Sequence, residues 1–271
     1  MKTALRKPPT FSRNNSGSTL AWALILLLVA APARAGEALV AVAANFTEPA
    51  RELAAAFQAR TGHQITLSFG STGKLYAQIV NGAPFDAYLA ADAARPEKAL
   101  AEGLAVTGSR FTYARGKLAL WSLEPGLVEQ GQRYLAQARP ERLAIANPAT
   151  APYGLAAQQV MENLGAWGRL QPSLVRGESI AQAFQFVATG NAEAGFVAVA
   201  QLRSWQGLTG SAWIVPESLY LPIEQQAVLL VRGRNNPAAT AWLAYLREPE
   251  AVALIENYGY GVSAGDESPV D

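Results

Sequence analysis

Apolar and polar positions along this chain switch repeatedly between a strand-like and a helix-like spacing. Glu37 to Ala44 is a run of small and β-branched apolar residues. Thr47 to Arg60 follows with Leu53, Ala54 and Phe57 at helical spacing, Thr47 placed as N-cap, Glu48 and Pro49 in the first turn and Gly62 as the stop. His63–Phe69 reads as a strand, Gly70-Ser71-Thr72-Gly73 breaks it, Lys74–Asn81 reads as a helix, and Phe85–Ala91 as a third strand. The rhythm returns with Leu143–Ala146, a break at Asn147-Pro148, and a helix opened by Pro152-Tyr153-Gly154 that runs to Leu164. Ser173–Arg176 is short and extended, Glu178-Ser179 precede a helix over Ile180–Ala188, and Ala194–Ala198 reads as a buried strand. Gln225–Arg232 is strand-like, and Pro237–Tyr258 holds one or two closing helices.

Such alternation predicts an α/β protein with mainly parallel sheets. The pattern falls into two halves, around 37–110 and 140–200, and the late strand can return to the first. The expected organisation is therefore lobe I over 36–115 and 225–271, and lobe II over 116–224, with a ligand cleft between them.

The residues before this pattern have a different character. Lys2, Arg6, Lys7 and Arg13 lead into the apolar run Leu20–Ala31, and Ala33-Arg34-Ala35 offers small residues for cleavage. This layout predicts a secretory signal peptide over 1–35 and a periplasmic protein. The run falls short of the ~20 apolar residues that a spanning helix needs. Because the leader holds five of the 22 Lys and Arg and none of the 21 Asp and Glu, the remaining 236 residues carry 17 basic and 21 acidic side chains, a net charge of −4. That balance offers no support for nucleic-acid binding, and any anion must be held by a local site. Cysteine is absent and His63 is alone, so thiolate chemistry and a multi-histidine metal site are excluded. His63 reads as an edge residue.

Four strand-to-helix junctions carry the candidate chemistry: Ala44-Asn45-Phe46-Thr47, Gly70-Ser71-Thr72-Gly73, Ala151-Pro152-Tyr153-Gly154 and Glu178-Ser179-Ile180. A helix start presents N–H groups without intrahelical partners and a partial positive charge, which attract anions. Taken singly, each junction is also explained by ordinary capping. Together they supply N–H and O–H donors, with Asn45, Ser71 and Thr72 adding side chains. Such a cage suits a fully deprotonated tetrahedral oxyanion. Protonated phosphate would leave its own hydrogen unpaired, at about 1–3 kcal/mol.

Two enzymatic or nucleotide readings compete. Ser71-Thr72-Gly73-Lys74 is a Ser-x-x-Lys tetrad of the serine hydrolase type, but no Lys-Thr-Gly or Ser-Asp-Asn accompanies it. A P-loop fails because Ser68 stands where its first glycine belongs and Leu75 replaces the Ser/Thr.

Five segments in order resemble the periplasmic molybdate-binding family of ABC importers. They are Ala43–Gly62, Ser68–Asp92, Ile145–Trp167, Glu193–Ala198 and Ile255–Tyr260. The resemblance spans essentially the whole chain after the leader. It implies a bilobal, type II-like binding protein that is not an enzyme and needs no cofactor. Its ligand is molybdate or tungstate, with sulfate as the nearest rival among tetrahedral oxyanions, and molybdenum enters only as the oxyanion, without protein–metal ligands. The implied partners are a membrane permease and its ATPase, and the implied state is a monomer. The implied oxyanion contacts are Asn45, Ser71 and Thr72 (with Thr72 the better match), and main-chain N–H groups at Tyr153 and Ile180. Three departures stand out. Ala198 replaces a tyrosine that some members direct at the anion, Asn45 stands where many carry serine, and Lys74 is a cation that the family does not require. Lys74 reads as solvated, Glu178 is expected to point away from the anion, and Tyr258 and Tyr260 read as packing rather than as ligands of a ferric-ion receptor.

Overall fold

A computed structural model describes residues 4, 35–208 and 210–262. The predicted leader lies, except for Ala4 and Ala35, outside the described residues. Among the described residues no helix is long and apolar enough to cross a membrane.

The first sheet has the order β2-β1-β3-β10-β4. β1 (Glu37–Ala43) lies between β2 (Gln64–Gly70) and β3 (Ala87–Leu89) and pairs parallel with both. Covered on both faces, β1 shows no polar alternation, as buried parallel strands do. After β1 the chain makes a 3-10 turn over Ala44–Phe46 and enters α1 (Thr47–Thr61), which buries Ala50, Leu53, Ala54 and Phe57. Gly62, at φ 75°, ends the helix with its N–H on the Gln58 carbonyl at 2.8 Å. Thr47 is not the N-cap: Phe46 holds that position, and the Thr47 hydroxyl donates back to the Ala44 carbonyl. α2 (Thr72–Val80) follows β2, starting two residues before the predicted Lys74 because Ser71 is the last extended residue. α3 (Ala94–Ala101) and β4 (Phe111–Gly116) complete this part.

The chain crosses to the second sheet at β5 (Leu118–Ser122), continues through α4 (Gly131–Gln137) and reaches β6 (Leu143–Ala146). There α5 (Pro152–Asn163), α6 (Trp167–Leu170), β7 (Leu174–Gly177), α7 (Ile180–Ala188), β8 (Ala194–Ala198), α8 (Val199–Ser204) and β9 (Ser211–Ile214) follow in turn. This sheet has the order β7-β6-β8-β5-β9. The return strand β10 (Ile223–Leu229) runs antiparallel to β3 and β4, and α9 (Pro237–Tyr245) and α10 (Pro249–Asn257) close the fold against the first sheet.

Each sheet is thus mixed. The βαβ strands pair in parallel, while β5 and β10, the first strands after each crossing between sheets, are antiparallel to their neighbours. One apolar core lies around the second sheet and takes in Ala43, Ala44 and Ala91 from the ends of the first-sheet strands. The two halves are in contact at that end.

Candidate functional site

Strand register decides where the four junctions emerge. Ala43 of β1 is opposite Gly70 of β2, so residues 44–46 and 71–73 leave the first sheet side by side. Ala146 of β6 is opposite Gly177 of β7, and the junctions leading to Tyr153 and Ile180 leave the second sheet in the same way. Both pairs sit at carboxyl strand ends, where open α/β sheets bind ligands.

The two edges face and touch each other. The Gly73 N–H donates to the Thr150 carbonyl at 2.8 Å, and the Arg95 guanidinium reaches the Ala149 carbonyl at 3.3 Å. The 3-10 turn holding Asn45 packs against α7 and α8. Lys74 pairs with Glu178 across the same boundary. Lys74 is therefore not merely solvated, and Glu178 is turned to an ammonium rather than left as a free charge beside an anion. Gly73 permits the close approach, since a Cβ there would lie 3.1 Å from both Cα and O of Thr150. Gly154 has a similar role under α5, where a Cβ would lie 2.3 Å from the Ala146 carbonyl oxygen.

Ordinary capping explains only one of these junctions. The Ser179 hydroxyl accepts from the Gln182 N–H at 3.4 Å. Ser71 and Ala151 make no side-chain cap, and the buried Ser71 hydroxyl has no partner among the described residues, as is also true of the Thr150 hydroxyl. Thr72 is buried and its Oγ1 accepts the Ala91 N–H at 3.0 Å. With an acceptor site filled in this way, the hydroxyl proton is free to point at a guest. Tyr153 and Ile180 lie in the first turns of α5 and α7, where a helix offers their N–H groups no acceptor.

Asn45 behaves differently from the simple amide donor anticipated. Its Nδ2 donates to Gln225 Oε1 at 2.8 Å and to the Tyr260 hydroxyl at 3.1 Å. What it can offer without breaking those bonds is its main-chain N–H. Tyr260 is more than packing, since its hydroxyl donates to the Asn45 carbonyl at 2.7 Å. Gln225 Oε1 also accepts from Tyr113 at 3.0 Å, and Gln225 Nε2 donates to the Tyr153 hydroxyl at 3.3 Å. Burial pushes the hydroxyl pKa values of Tyr113, Tyr153 and Tyr260 well above the ordinary tyrosine value, so all three are neutral. Beside Ala198, Gln201 bonds to two backbone groups. It accepts the Ala198 N–H at 2.9 Å and donates to the Ile180 carbonyl at 3.3 Å.

The structure thus brings all five predicted residues to one boundary. Sequence reasoning missed Gln225, Gln201 and Thr150. Gln225 carried a signal, because an amide sits at an inward position of β10, whose other buried residues are apolar. Among the described residues no group of three or more His, Asp or Glu is placed to hold a metal ion. Ser71 and Lys74 do not form a nucleophile–base pair: the hydroxyl has no partner and the ammonium is on Glu178.

Residues 38–261 match the family described as bacterial extracellular solute-binding protein. The chain is 53% identical over 241 residues to the molybdate-binding protein ModA of Rhodobacter capsulatus, covering 89% of this chain and 94% of that one. It is 53% identical over 246 residues to ModA of Azotobacter vinelandii, covering 90% and 98%. Among solved structures, the Azotobacter vinelandii periplasmic molybdate-binding protein superposes with a TM-score of 0.80 at 43% identity, over 83% of this chain and 99% of that one. With a bilobal α/β fold, donor-rich junctions and these relatives, the chain belongs to the bacterial extracellular solute-binding proteins, in the ModA molybdate-binding family, and is not an enzyme.

Proposed function

We propose that this protein is the receptor of a molybdate importer, which takes molybdate, and tungstate as well, in the periplasm and passes it to a membrane permease driven by an ATPase. It acts as a monomer, with lobe I over 36–115 and 225–271 and lobe II over 116–224. The oxyanion is held without countercharge by the Thr72 and Ser71 hydroxyls and by main-chain N–H groups of Asn45, Tyr153 and Ile180. The observation that carries this reading is the Thr72 hydroxyl. It is buried, its acceptor side is taken by the Ala91 N–H, and it lies beside a Ser71 hydroxyl with no partner.

A cage of donors ranks its guests by protonation. A fully deprotonated dianion satisfies every N–H and O–H, whereas hydrogen phosphate brings a proton with no acceptor waiting, a penalty of about 1–3 kcal/mol. Calorimetric titration with molybdate, tungstate, sulfate and phosphate tests the proposal. Molybdate and tungstate are expected to bind tightly, sulfate weakly and phosphate least. Failure to bind either molybdate or tungstate would sink it, and a preference for sulfate would make the protein a sulfate receptor.

A further inference from the structure

The amide of Gln225 is fully buried in a strand that otherwise buries apolar side chains. An amide in such a place is costly unless its polar atoms are paired. Here they are paired with residues that come from both halves of the molecule. Asn45 follows β1 and Tyr113 lies on β4, both in the first half, whereas Tyr153 opens α5 in the second. Gln225 itself sits on the return strand, at the irregularity where the pairing of β10 with β4 shifts between Gln225 and Gln226.

The surroundings are shaped around this junction. A Cβ at Gly116, the last residue before the outward crossing, would lie 2.2 Å from the Tyr153 hydroxyl and 2.9 Å from Gln225 Nε2. A side chain at 116 would occupy the space in which the two groups meet. Asn45 and Tyr153 are also two of the residues from which the proposed cage takes its main-chain donors, one from each half.

We infer that Gln225 is a positioning residue for oxyanion binding. It does not touch the guest, but one amide fixes Asn45 on one side of the cleft and Tyr153 on the other, so that their main-chain N–H groups converge when the cleft is shut. This inference rests on the proposed function. Because Gln225 acts through two residues, its effect is shared with Tyr153. Removing the Tyr153 hydroxyl breaks the same link while leaving the Tyr153 N–H in place.

The test uses the full-length protein without its leader and sodium molybdate as the probe. Gln225→Met keeps the length and volume of the side chain but removes both polar atoms. Affinity for molybdate is expected to fall about 10- to 100-fold in Gln225→Met and by a smaller factor in Tyr153→Phe. The double variant is expected to be no weaker than Gln225→Met, since buried groups in one network are not additive. A melting temperature that falls without any loss of affinity would make Gln225 purely structural and overturn the inference. Additive effects in the double variant would do the same. Should Gln225→Met fail to fold, unchanged affinity in Tyr153→Phe is the overturning result. Wild-type protein that ignores molybdate removes the functional reading itself, whereas wild type that binds alongside unimpaired variants removes only the role of Gln225.

Discussion

A buried hydroxyl proposed to hold an anion has to be told which way to point. At Thr72 the instruction comes from Ala91, whose N–H occupies the oxygen from behind. Thr72→Ala should therefore lose a bond to a charged guest, worth about 1.5–3 kcal/mol, and leave the Ala91 N–H without its acceptor. Calorimetry should show molybdate affinity lowered by roughly 10- to 100-fold; an unchanged affinity would remove Thr72 from the cage. Buried hydroxyls also set the alkaline limit of the protein. Desolvation is the first cause of the raised tyrosine pKa values, with Tyr76, Tyr134 and Tyr258 pushed up to about 12 and Tyr88, Tyr113 and Tyr153 raised by burial. A tyrosine whose folded pKa exceeds the unfolded value of about 10 holds its proton more tightly in the native state. Stability is then full below pH ~10 and is lost as pH rises through about 12. Melts by circular dichroism from pH 8 to 12, with tyrosinate absorbance as a second probe, should show the midpoint fall only above pH 10.

At the scale of elements, the junctions depend on glycines that let backbones approach. Gly73→Ala would place a methyl group 3.1 Å from the Thr150 backbone and 3.2 Å from the Arg95 guanidinium. The methyl acts as a wedge between opposing edges rather than within one core. Molybdate affinity should fall while the melting temperature without ligand stays within about 2 °C, the shift for less than 1 kcal/mol in a protein of this size; equal losses in both would mean that the wedge acts inside the fold. Legibility in the sequence followed the same division. The βα units after β1, β2, β6 and β7 were readable because a short apolar run, a break rich in Gly, Ser or Asn, and a helical stripe follow one another. β4, β5 and β9 were not marked off. β5 (Leu118–Ser122) is buried at every position, and a buried apolar run of five residues has no period that separates strand from helix. All five candidate site residues come from the junctions and the resemblance. Asn45's turn toward Gln225 was invisible, since its partner lies 180 residues away.

At the scale of the whole molecule, the two halves meet through Gly73 to Thr150, Arg95 to Ala149 and Lys74 to Glu178. The Lys74–Glu178 pair has side chains 50% and 63% exposed, so solvent screens it and its share is at most about 1 kcal/mol. Lys74→Met should weaken molybdate binding no more than about fivefold at low salt and hardly at all at 1 M salt, where the Debye length is about 3 Å; a loss that persists in high salt would point to a direct role for the ammonium. Saturating molybdate should in turn raise the melting temperature, since ligand at 100 times its Kd adds about 2.7 kcal/mol to the native state. The path of the chain also sets an order of assembly. The strands of the second sheet all come from residues 118–214, whereas β10, the last strand in chain order, is seated between β3 and β4 of the first. A folding chain can therefore pair the strands of its middle portion while its beginning still waits, with a gap in its sheet, for residues 223–229. A fragment stopping at residue 222, which keeps Val215 and Tyr220 in the core of the second sheet, should retain the middle portion and leave the beginning unfinished, holding half a receptor with nothing to close against.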